Sequence, residues 1–218
     1  MSKNNADLLR TRLRAGRRAM SVAQRQYGNQ LLCQQLQDWL DTFELPGNDS
    51  GDSLTVAAFW PLEDEPDLTP LLRAWDAVGI NIVLPVVIRR QAPLEFHRWD
   101  AQGVPCVSGA FGVREPPRLA PLQPDVVLVP TLGYTLGADR LGYGAGYYDR
   151  TLHAMQQSGH KPVSIGIAWD EGLLEAYAPH YAAQPHDMPL DAVLTPAGWI
   201  PSRPTRISAG KAATPPPG

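Results

Sequence analysis

Two repeating patterns of apolar residues divide this chain into helices and short buried strands. Near the N-terminus one set of apolar residues recurs at steps of three and four, as one face of a helix does: Leu32, Leu36, Trp39, Leu40 and Phe43. Ser21 followed by Gln24 forms a capping-box sequence that begins this helix. We therefore expect two N-terminal helices, one over residues 6–19 and one from Ser21 to about Phe43.

After a polar loop at residues 44–53, short apolar runs alternate with helical patterns, which is typical of an α/β sheet. The expected helices run from Asp67 to Gly79 and from Tyr147 to Gln157. The runs expected as strands are residues 54–60, 80–88, 94–99, 125–130, 163–169 and 192–195. Residues 125–130 are nearly all β-branched or leucine, so we expect a central strand covered on both faces. Pro85 is expected to lie at a sheet edge or a bend.

These patterns predict an α/β fold in three layers, with an open, mostly parallel, Rossmann-like sheet and helices on both faces. The chain has 218 residues, of which 44% are hydrophobic, enough for one substantial core. We expect a single domain over residues 1–200, with the N-terminal helices at 6–43 included, and a monomer. Residues 201–218 have little to bury and are expected to form a mobile tail.

Charge and cysteine content exclude several classes of function. The net charge of −3 gives no overall field that would attract nucleic acid or an anionic membrane, so neither is expected as a partner. No apolar run reaches the roughly 18 residues that span a bilayer, and no signal peptide is evident, so we expect a cytoplasmic protein. Cys33 and Cys106 lack metal-site spacing and are expected to be reduced thiols.

The segment that carries the chemistry is the run from Asp139 to Arg150, in which three glycines occupy alternate positions: Gly142, Gly144 and Gly146. Glycine permits positive φ and close approach of a ligand, and the helix that follows offers unpaired amides to an anion. The run lacks the Gly-Lys-Ser/Thr of a Walker loop and the G-x-G-x-x-G spacing of a dinucleotide loop. It is either a distinct phosphate-binding loop or a tight glycine-rich connection.

Further candidates gather where predicted strands end, because ligands of open α/β sheets bind at the carboxyl ends of the strands. These segments are residues 60–67, the glycine loop, residues 169–171 and residues 186–191. Asp149 and Asp187 are the best placed for Mg²⁺, which combines one or two carboxylates with phosphates and water. The alternatives are a helix-terminus charge for Asp149 and a turn or cap for Asp187. His186 is either an acid or base or an ordinary surface histidine.

The N-terminal segment is strongly basic, with seven cationic residues and one acidic residue in the first 25 positions. The cations are Lys3, Arg10, Arg12, Arg14, Arg17, Arg18 and Arg25. Such a set is commonly a solvated helix face. Alternatively, one or two of these arginines reach a bound phosphate.

The glycine run with its flanks resembles the ATP-binding signature of the 5-formyltetrahydrofolate cyclo-ligase family, also called methenyltetrahydrofolate synthetases. The matching residues are Val129–Leu132 and Arg140–Arg150. Other segments resemble the family in the same order: residues 9–10, 17–21, 60–61, 65–67, 84–86, 111–116, 186–187, 190–191 and 195–196. The resemblance spans about residues 6–200.

This resemblance implies an enzyme with the NagB/RpiA/CoA-transferase-like fold, two small-molecule substrates and a metal ion. The substrates are ATP and the reduced folate 5-formyltetrahydrofolate, which the family converts to 5,10-methenyltetrahydrofolate with Mg²⁺, releasing ADP and phosphate. The formyl oxygen is thought to attack the γ-phosphate, giving an iminium phosphate on which N10 closes. Catalytic roles are implied for Arg140 and Tyr147, and Mg²⁺ binding for Asp149 and Asp187, with Asp191 as a second choice.

Residues that bind the two substrates follow from the same resemblance. Those implied to bind ATP are Arg10, Lys3, Arg140, Gly142, Tyr143, Gly144, Ala145, Gly146 and Tyr147. Those implied to bind folate are Trp60, Glu65, Tyr143 and Tyr147. A carboxylate at Glu65 can accept hydrogen bonds from the N–H edge of a pterin, and an aromatic at Trp60 can cover its face.

Three departures from the family pattern bear on ATP affinity, and one of them is Thr135, which stands where an aspartate is common. The family's N-terminal lysine, four residues before the matching arginine, falls at Ala6, and Lys3 is three residues too early. The middle position of the glycine run is Ala145. The sequence therefore leaves open a non-catalytic folate- or nucleotide-binding relative. It also leaves open a dinucleotide-dependent oxidoreductase with Asp170 as its ribose-binding acid.

Overall fold

A computed structural model describes residues 3–42, 53–103, 106–109, 112–184 and 187–205, with only the backbone described for Lys3 and Asn4. The described residues contain four α-helices: α1 (Lys3–Ala19), α2 (Val22–Leu40), α3 (Thr69–Ala77) and α4 (Tyr147–Gln157). The main sheet contains β1 (Thr55–Ala57), β2 (Asn81–Val86), β3 (Glu95–Arg98), β6 (Val126–Pro130), β9 (Val163–Ile167), β10 (Ala192–Thr195) and β11 (Gly198–Ile200). Two small antiparallel pairs are β4 (Val107–Ser108) with β5 (Arg114–Glu115) and β7 (Gly133–Tyr134) with β8 (Arg140–Leu141).

The seven strands of the main sheet follow the order β11-β10-β9-β6-β1-β2-β3. The five inner strands are parallel, and an antiparallel strand closes each edge. Strand β6 lies at the centre and its first four residues are fully buried, as its β-branched composition predicts. The three-layer, mostly parallel α/β prediction is confirmed.

Helices cover both faces of this sheet. On one face, α2 and α3 bury Leu32, Leu36 and Trp75 against strand residues such as Leu128 and Ile165. On the other face, Leu152 of α4 packs with a second set of strand residues. Leu9 and Leu13 of α1 pack with Leu132, Leu141 and Leu174, which lie beyond the end of β6. Helix α1 is thereby fixed at the carboxyl end of the central strand.

Most predicted helix ends agree with the structure. Ser21 caps α2, accepting from the Gln24 amide while the Gln24 side chain accepts from the Ser21 amide. Helix α2 ends at Leu40, and Phe43 lies outside the described residues. Helix α3 begins two residues after Asp67, whose carboxylate accepts from the amide of Thr69.

Strand β2 lies inside the sheet, but beyond Val83 it pairs with β3 alone. Pro85 therefore lies at a local edge, where its missing amide proton costs no sheet hydrogen bond, as predicted. Two other features of the sheet differ from the prediction. An antiparallel strand, β11, extends the sheet beyond β10, where the sequence pattern indicated its last strand. The glycine loop also does not follow β6 directly, because the β7–β8 hairpin lies between them.

The expected mobile tail begins with residues that contact the domain. The carbonyl of Pro204 accepts a hydrogen bond from the indole of Trp39, and Arg203 contacts Asp38 and Thr42. Residues 201–205 thus lie against α2. The remainder, 206–218, lies outside the described residues, and its mobility stays a prediction.

Candidate active site

A cavity of about 810 Å³ opens at the carboxyl ends of β1, β2 and β6. Such a volume suits a cofactor-sized ligand, and strand ends of this kind are the usual binding edge of an open α/β sheet. Its walls are formed by α1, the strand ends, the glycine loop and the segment before β10. They include Ala6, Arg10, Arg14, Phe59, Trp60, Glu65, Pro85, Glu115, Pro130, Arg140, Leu141, residues 142–149, Tyr181 and Asp187.

The glycine loop forms one wall of this cavity and depends on glycine at two positions. Gly144 has φ of 94° and Gly146, the N-cap of α4, has φ of 65°, values that side chains other than glycine rarely adopt. A Cβ on Gly144 would also lie only 3.2 Å from the guanidinium carbon of Arg10. Ala145 is not among the described residues with positive φ, so the departure from glycine at this position is accommodated without backbone strain.

Helix α1 contributes three residues to the cavity wall at four-residue steps, Ala6, Arg10 and Arg14. The Arg10 Nε donates to the carbonyl of Gly142 at 2.9 Å, and its Nη1 pairs with Asp7. Arg14 lies 5.3 Å above the ring of Tyr143. Arg10 and Arg14 therefore face the glycine loop, and the alternative that such arginines reach a bound phosphate stays a prediction.

Arg140, on β8, and Asp149, on the first turn of α4, form an ion pair across the base of the loop. The Arg140 Nη2 lies 2.7 Å from Asp149 Oδ1, with side-chain exposures of 6% and 16%. Asp149 Oδ1 also accepts from the amide of Met188 at 3.3 Å. The buried Nε of Arg140 has no hydrogen-bond partner in the described part of the chain. A buried donor without a protein partner can donate a hydrogen bond to a ligand.

Glu65 and Trp60 also line the cavity. Glu65 is 6% exposed, and its Oε2 accepts from the amide of Leu62 at 2.8 Å. Burial raises the pKa of Glu65, while the Leu62 amide, the Tyr143 hydroxyl and the charge of Arg17 act to lower it. Trp60 packs edge-on against Trp99 and beneath the guanidinium of Arg114. The cavity is therefore lined by a buried carboxyl and by an aromatic side chain.

Two residues without a predicted role take part in the site. The hydroxyl of Tyr148 is buried without a hydrogen-bond partner among the described residues, and its side chain lines the cavity. Arg17 is 2% exposed and donates to the hydroxyl of Tyr143 at 2.7 Å. The sequence contained a signal for Arg17, since Leu9, Leu13 and Arg17 share one helical face. The basic composition of the segment as a whole does not distinguish Arg17 from the other arginines of α1.

The fit of Mg²⁺ rests on Asp149 and Asp187, which both line the cavity. The Asp187 carboxylate also accepts from the amide of Gln184 at 2.7 Å. Within the described ranges, no group of three histidine, cysteine or acidic side chains could hold a metal ion. The two carboxylates would supply part of the oxygen shell of an ion such as Mg²⁺, with nucleotide phosphates and water supplying the rest.

Several other candidates lie elsewhere. Asp191 bonds both the amide and the hydroxyl of Ser164 and does not line the cavity. Asp170 accepts from the amide of Ala197 and is also absent from the cavity wall, so it offers nothing to a ribose there. His186 and the side chain of Lys3 lie outside the described residues.

The sequence as a whole is similar to one family of enzymes. The sequence model of the 5-formyltetrahydrofolate cyclo-ligase family matches residues 2–196. A 5-formyltetrahydrofolate cyclo-ligase of Mycolicibacterium smegmatis is 33% identical over 211 residues, covering 92% of this chain and 98% of that protein. One of Escherichia coli K12 is 32% identical over 149 residues, covering 66% of this chain and 78% of that protein.

Two solved structures share the fold. A 5,10-methenyltetrahydrofolate synthetase of Aquifex aeolicus has a TM-score of 0.68 at 23% identity, covering 96% of this chain and 99% of that one. Another from Mycoplasma pneumoniae has a TM-score of 0.63 at 24% identity, covering 88% of this chain and 98% of that one.

No helix among the described residues is long and apolar enough to cross a bilayer.

Proposed function

The chain belongs to the 5-formyltetrahydrofolate cyclo-ligase family, which converts 5-formyltetrahydrofolate to 5,10-methenyltetrahydrofolate with ATP, and from this premise we propose how its cavity performs the reaction. Both substrates occupy the cavity between α1, the glycine loop and the strand ends. The ATP phosphates lie against residues 142–147 and Arg10, and the pterin lies against Glu65 and Trp60. One observation supports this most: a single cavity is lined by a glycine loop with arginines beside it and also by a buried carboxyl and a tryptophan.

The chemistry requires activation of an amide oxygen. The formyl oxygen attacks the γ-phosphorus of ATP and the bond to the bridging oxygen breaks, so ADP leaves and an iminium phosphate forms. N10 then attacks the formyl carbon, loses its proton, and expels phosphate that carries the former formyl oxygen. Such a phosphoryl transfer depends mainly on positioning and charge stabilisation rather than on covalent protein chemistry.

We assign these tasks to residues of the glycine loop and its flanks. Arg140, anchored by Asp149 at 2.7 Å, presents its remaining donors to the transferring phosphoryl group. The N-terminus of α4, beginning at Gly146, offers unpaired amides to the same charge. Tyr147, the first residue of α4, and Tyr143 lie between the two ligands. The hydroxyl of Tyr148 is a further donor available to the folate.

The metal ion has a limited role in this proposal. Asp149 and Asp187 would hold Mg²⁺ beside the β- and γ-phosphates, where it would neutralise part of their charge. Oδ1 of Asp149 is engaged by Arg140, so we propose its other oxygen as the ligand.

An isotope experiment tests the reaction course. The enzyme is given Mg-ATP and 5-formyltetrahydrofolate labelled with ¹⁸O in the formyl group, and the released phosphate is analysed by mass spectrometry. We expect one labelled oxygen in each phosphate formed. Unlabelled phosphate in the presence of methenyl product would contradict attack by the formyl oxygen.

Replacing Arg10 with alanine is expected to raise the KM for ATP by about tenfold while changing the KM for folate less than about threefold. The replacement removes a cation and the charged hydrogen bond that fixes the Gly142 carbonyl. The free energy of such a hydrogen bond corresponds to about a tenfold change in affinity. Steady-state kinetics with each substrate varied in turn gives both values. Arg18→Ala, at an exposed position of the same helix, is the control, and equal increases for both substrates in Arg10→Ala would disprove the assignment.

A further inference from the structure

Arg17 holds a buried positive charge that the proposed reaction does not use. Its Nη2 donates to the carbonyls of Thr131 at 2.5 Å and Leu132 at 3.3 Å, just beyond the end of β6. Its Nη1 donates to the hydroxyl of Tyr143 at 2.7 Å. No described carboxylate lies within ion-pairing distance of it. A charge buried this deeply is costly unless its donors are satisfied, so its position is closely determined by these acceptors.

Tyr143 connects Arg17 to the cavity, because its hydroxyl bonds Arg17 and its side chain lines the cavity wall. A guanidinium can only donate, so the Tyr143 hydroxyl accepts from Arg17 and keeps its own proton to donate. Burial raises the pKa of the Glu65 carboxyl, and the Tyr143 hydroxyl acts against that rise. The amide of Leu62 donates to Oε2 of Glu65 at 2.8 Å. Both groups favour the carboxylate form of Glu65.

We propose that Arg17 is a positioning residue that acts through Tyr143 to hold Glu65 as an oriented carboxylate facing the folate. This inference rests on the proposed placement of the pterin against Glu65. In this arrangement two arginines of α1 anchor the glycine loop. Arg10 holds the Gly142 carbonyl on the phosphate side, and Arg17 holds Tyr143 on the folate side.

The electrostatics of Glu65 give the inference a pH signature. Burial raises the pKa of Glu65, and the charge of Arg17 opposes that rise. The other groups that act on this carboxyl are Asp64 on its own loop, Tyr143 and Tyr148, which shares a coulombic interaction with it. Burial and the neighbouring Glu65 raise the pKa of Tyr143, so its hydroxyl stays protonated. Without Arg17, Glu65 should take up its proton at higher pH.

The experiment compares Arg17→Gln with Arg18→Gln, its exposed neighbour, by steady-state kinetics of ADP release as a function of pH. We expect Arg17→Gln to raise the KM for folate by about tenfold or more and the KM for ATP by less than about twofold. We also expect the acid limb of kcat/KM for folate to move to higher pH. Tyr143→Phe should produce the same shift, and the double variant should be no worse than the stronger single variant.

Equal effects of Arg17→Gln on both substrates, or an unmoved acid limb, would overturn the inference. If Arg17→Gln fails to fold, Tyr143→Phe and Arg17→Lys are used for the same test. In Tyr143→Phe, the loss of the hydroxyl alone should move the acid limb of kcat/KM for folate to higher pH. Glu65→Gln separates this inference from the proposed folate site. If Glu65→Gln leaves the KM for folate unchanged, the placement of the pterin is wrong. If only Glu65→Gln has an effect, the role of Arg17 is wrong.

Discussion

Replacement of Arg140 by glutamine is expected to lower kcat by at least about a hundredfold, the effect of removing one donor to charge that develops in a transition state. The guanidinium lines the cavity beneath the glycine loop, and its Nε has no protein partner in the described part of the chain. Single-turnover measurement of ADP formation at saturating ATP and folate gives the rate. Arg140→Lys should recover only part of it, because lysine keeps the charge but not the planar array of donors.

Loss of stability must be separated from this loss of rate. Breaking a pair as buried as Arg140 with Asp149 costs about 3 kcal/mol, because an uncompensated carboxylate remains. Arg140→Gln combined with Asp149→Asn removes both charges and should regain much of the melting temperature without regaining turnover. Arg89→Gln, at an exposed position, is the matched control. Recovery of turnover in the double variant would show that Arg140 acts only on stability.

Replacement of Asp149 by alanine is expected to lower kcat/KM for Mg-ATP by about a hundredfold or more and to raise the Mg²⁺ concentration needed for half-maximal rate. It removes a proposed oxygen ligand of the ion and the anchor of Arg140 together. Titration of Mg²⁺ at fixed ATP measures the second effect.

Asp149→Asn distinguishes these two functions. Asparagine still has an oxygen that can accept from Arg140 and from the amide of Met188, so it should retain more stability than alanine. It is a weaker ligand for a hard cation, so its Mg²⁺ requirement should still rise. An unchanged Mg²⁺ requirement in both variants would refute a metal-binding role and leave only the positioning of Arg140. Asp38→Ala, exposed on α2, is the control.

The sheet could be predicted from the sequence because its signals are local. Buried parallel strands need continuous apolar runs, and residues 126–130 provide one at the centre of the sheet. The Ser21 capping box likewise fixed the start of α2. Short elements without such a signal were missed, including β11 and the β7–β8 hairpin. The hairpin matters most for the site, because it presents Arg140 beneath the glycine loop.

The contacts within the site could not be predicted in the same way because they join side chains of different secondary-structure elements. Glycines at 144 and 146 indicated a loop with positive φ, and both have it. The sequence did not show that Asp149 of α4 would pair with Arg140 of β8. It also did not show that Arg17 of α1 would reach Tyr143, which lies 126 positions later in the chain. Such pairs depend on how these elements pack together, which is a property of the tertiary structure.

The measurement that most directly tests the shared cavity is a crystal structure with Mg²⁺, a non-hydrolysable ATP analogue and 5-formyltetrahydrofolate bound. We expect the phosphates to contact residues 142–147 and Arg10, and the pterin to contact Glu65. We also expect the formyl oxygen to face the γ-phosphate beside Arg140. Either ligand bound outside the cavity, or the formyl group turned away from the γ-phosphate, would contradict this arrangement.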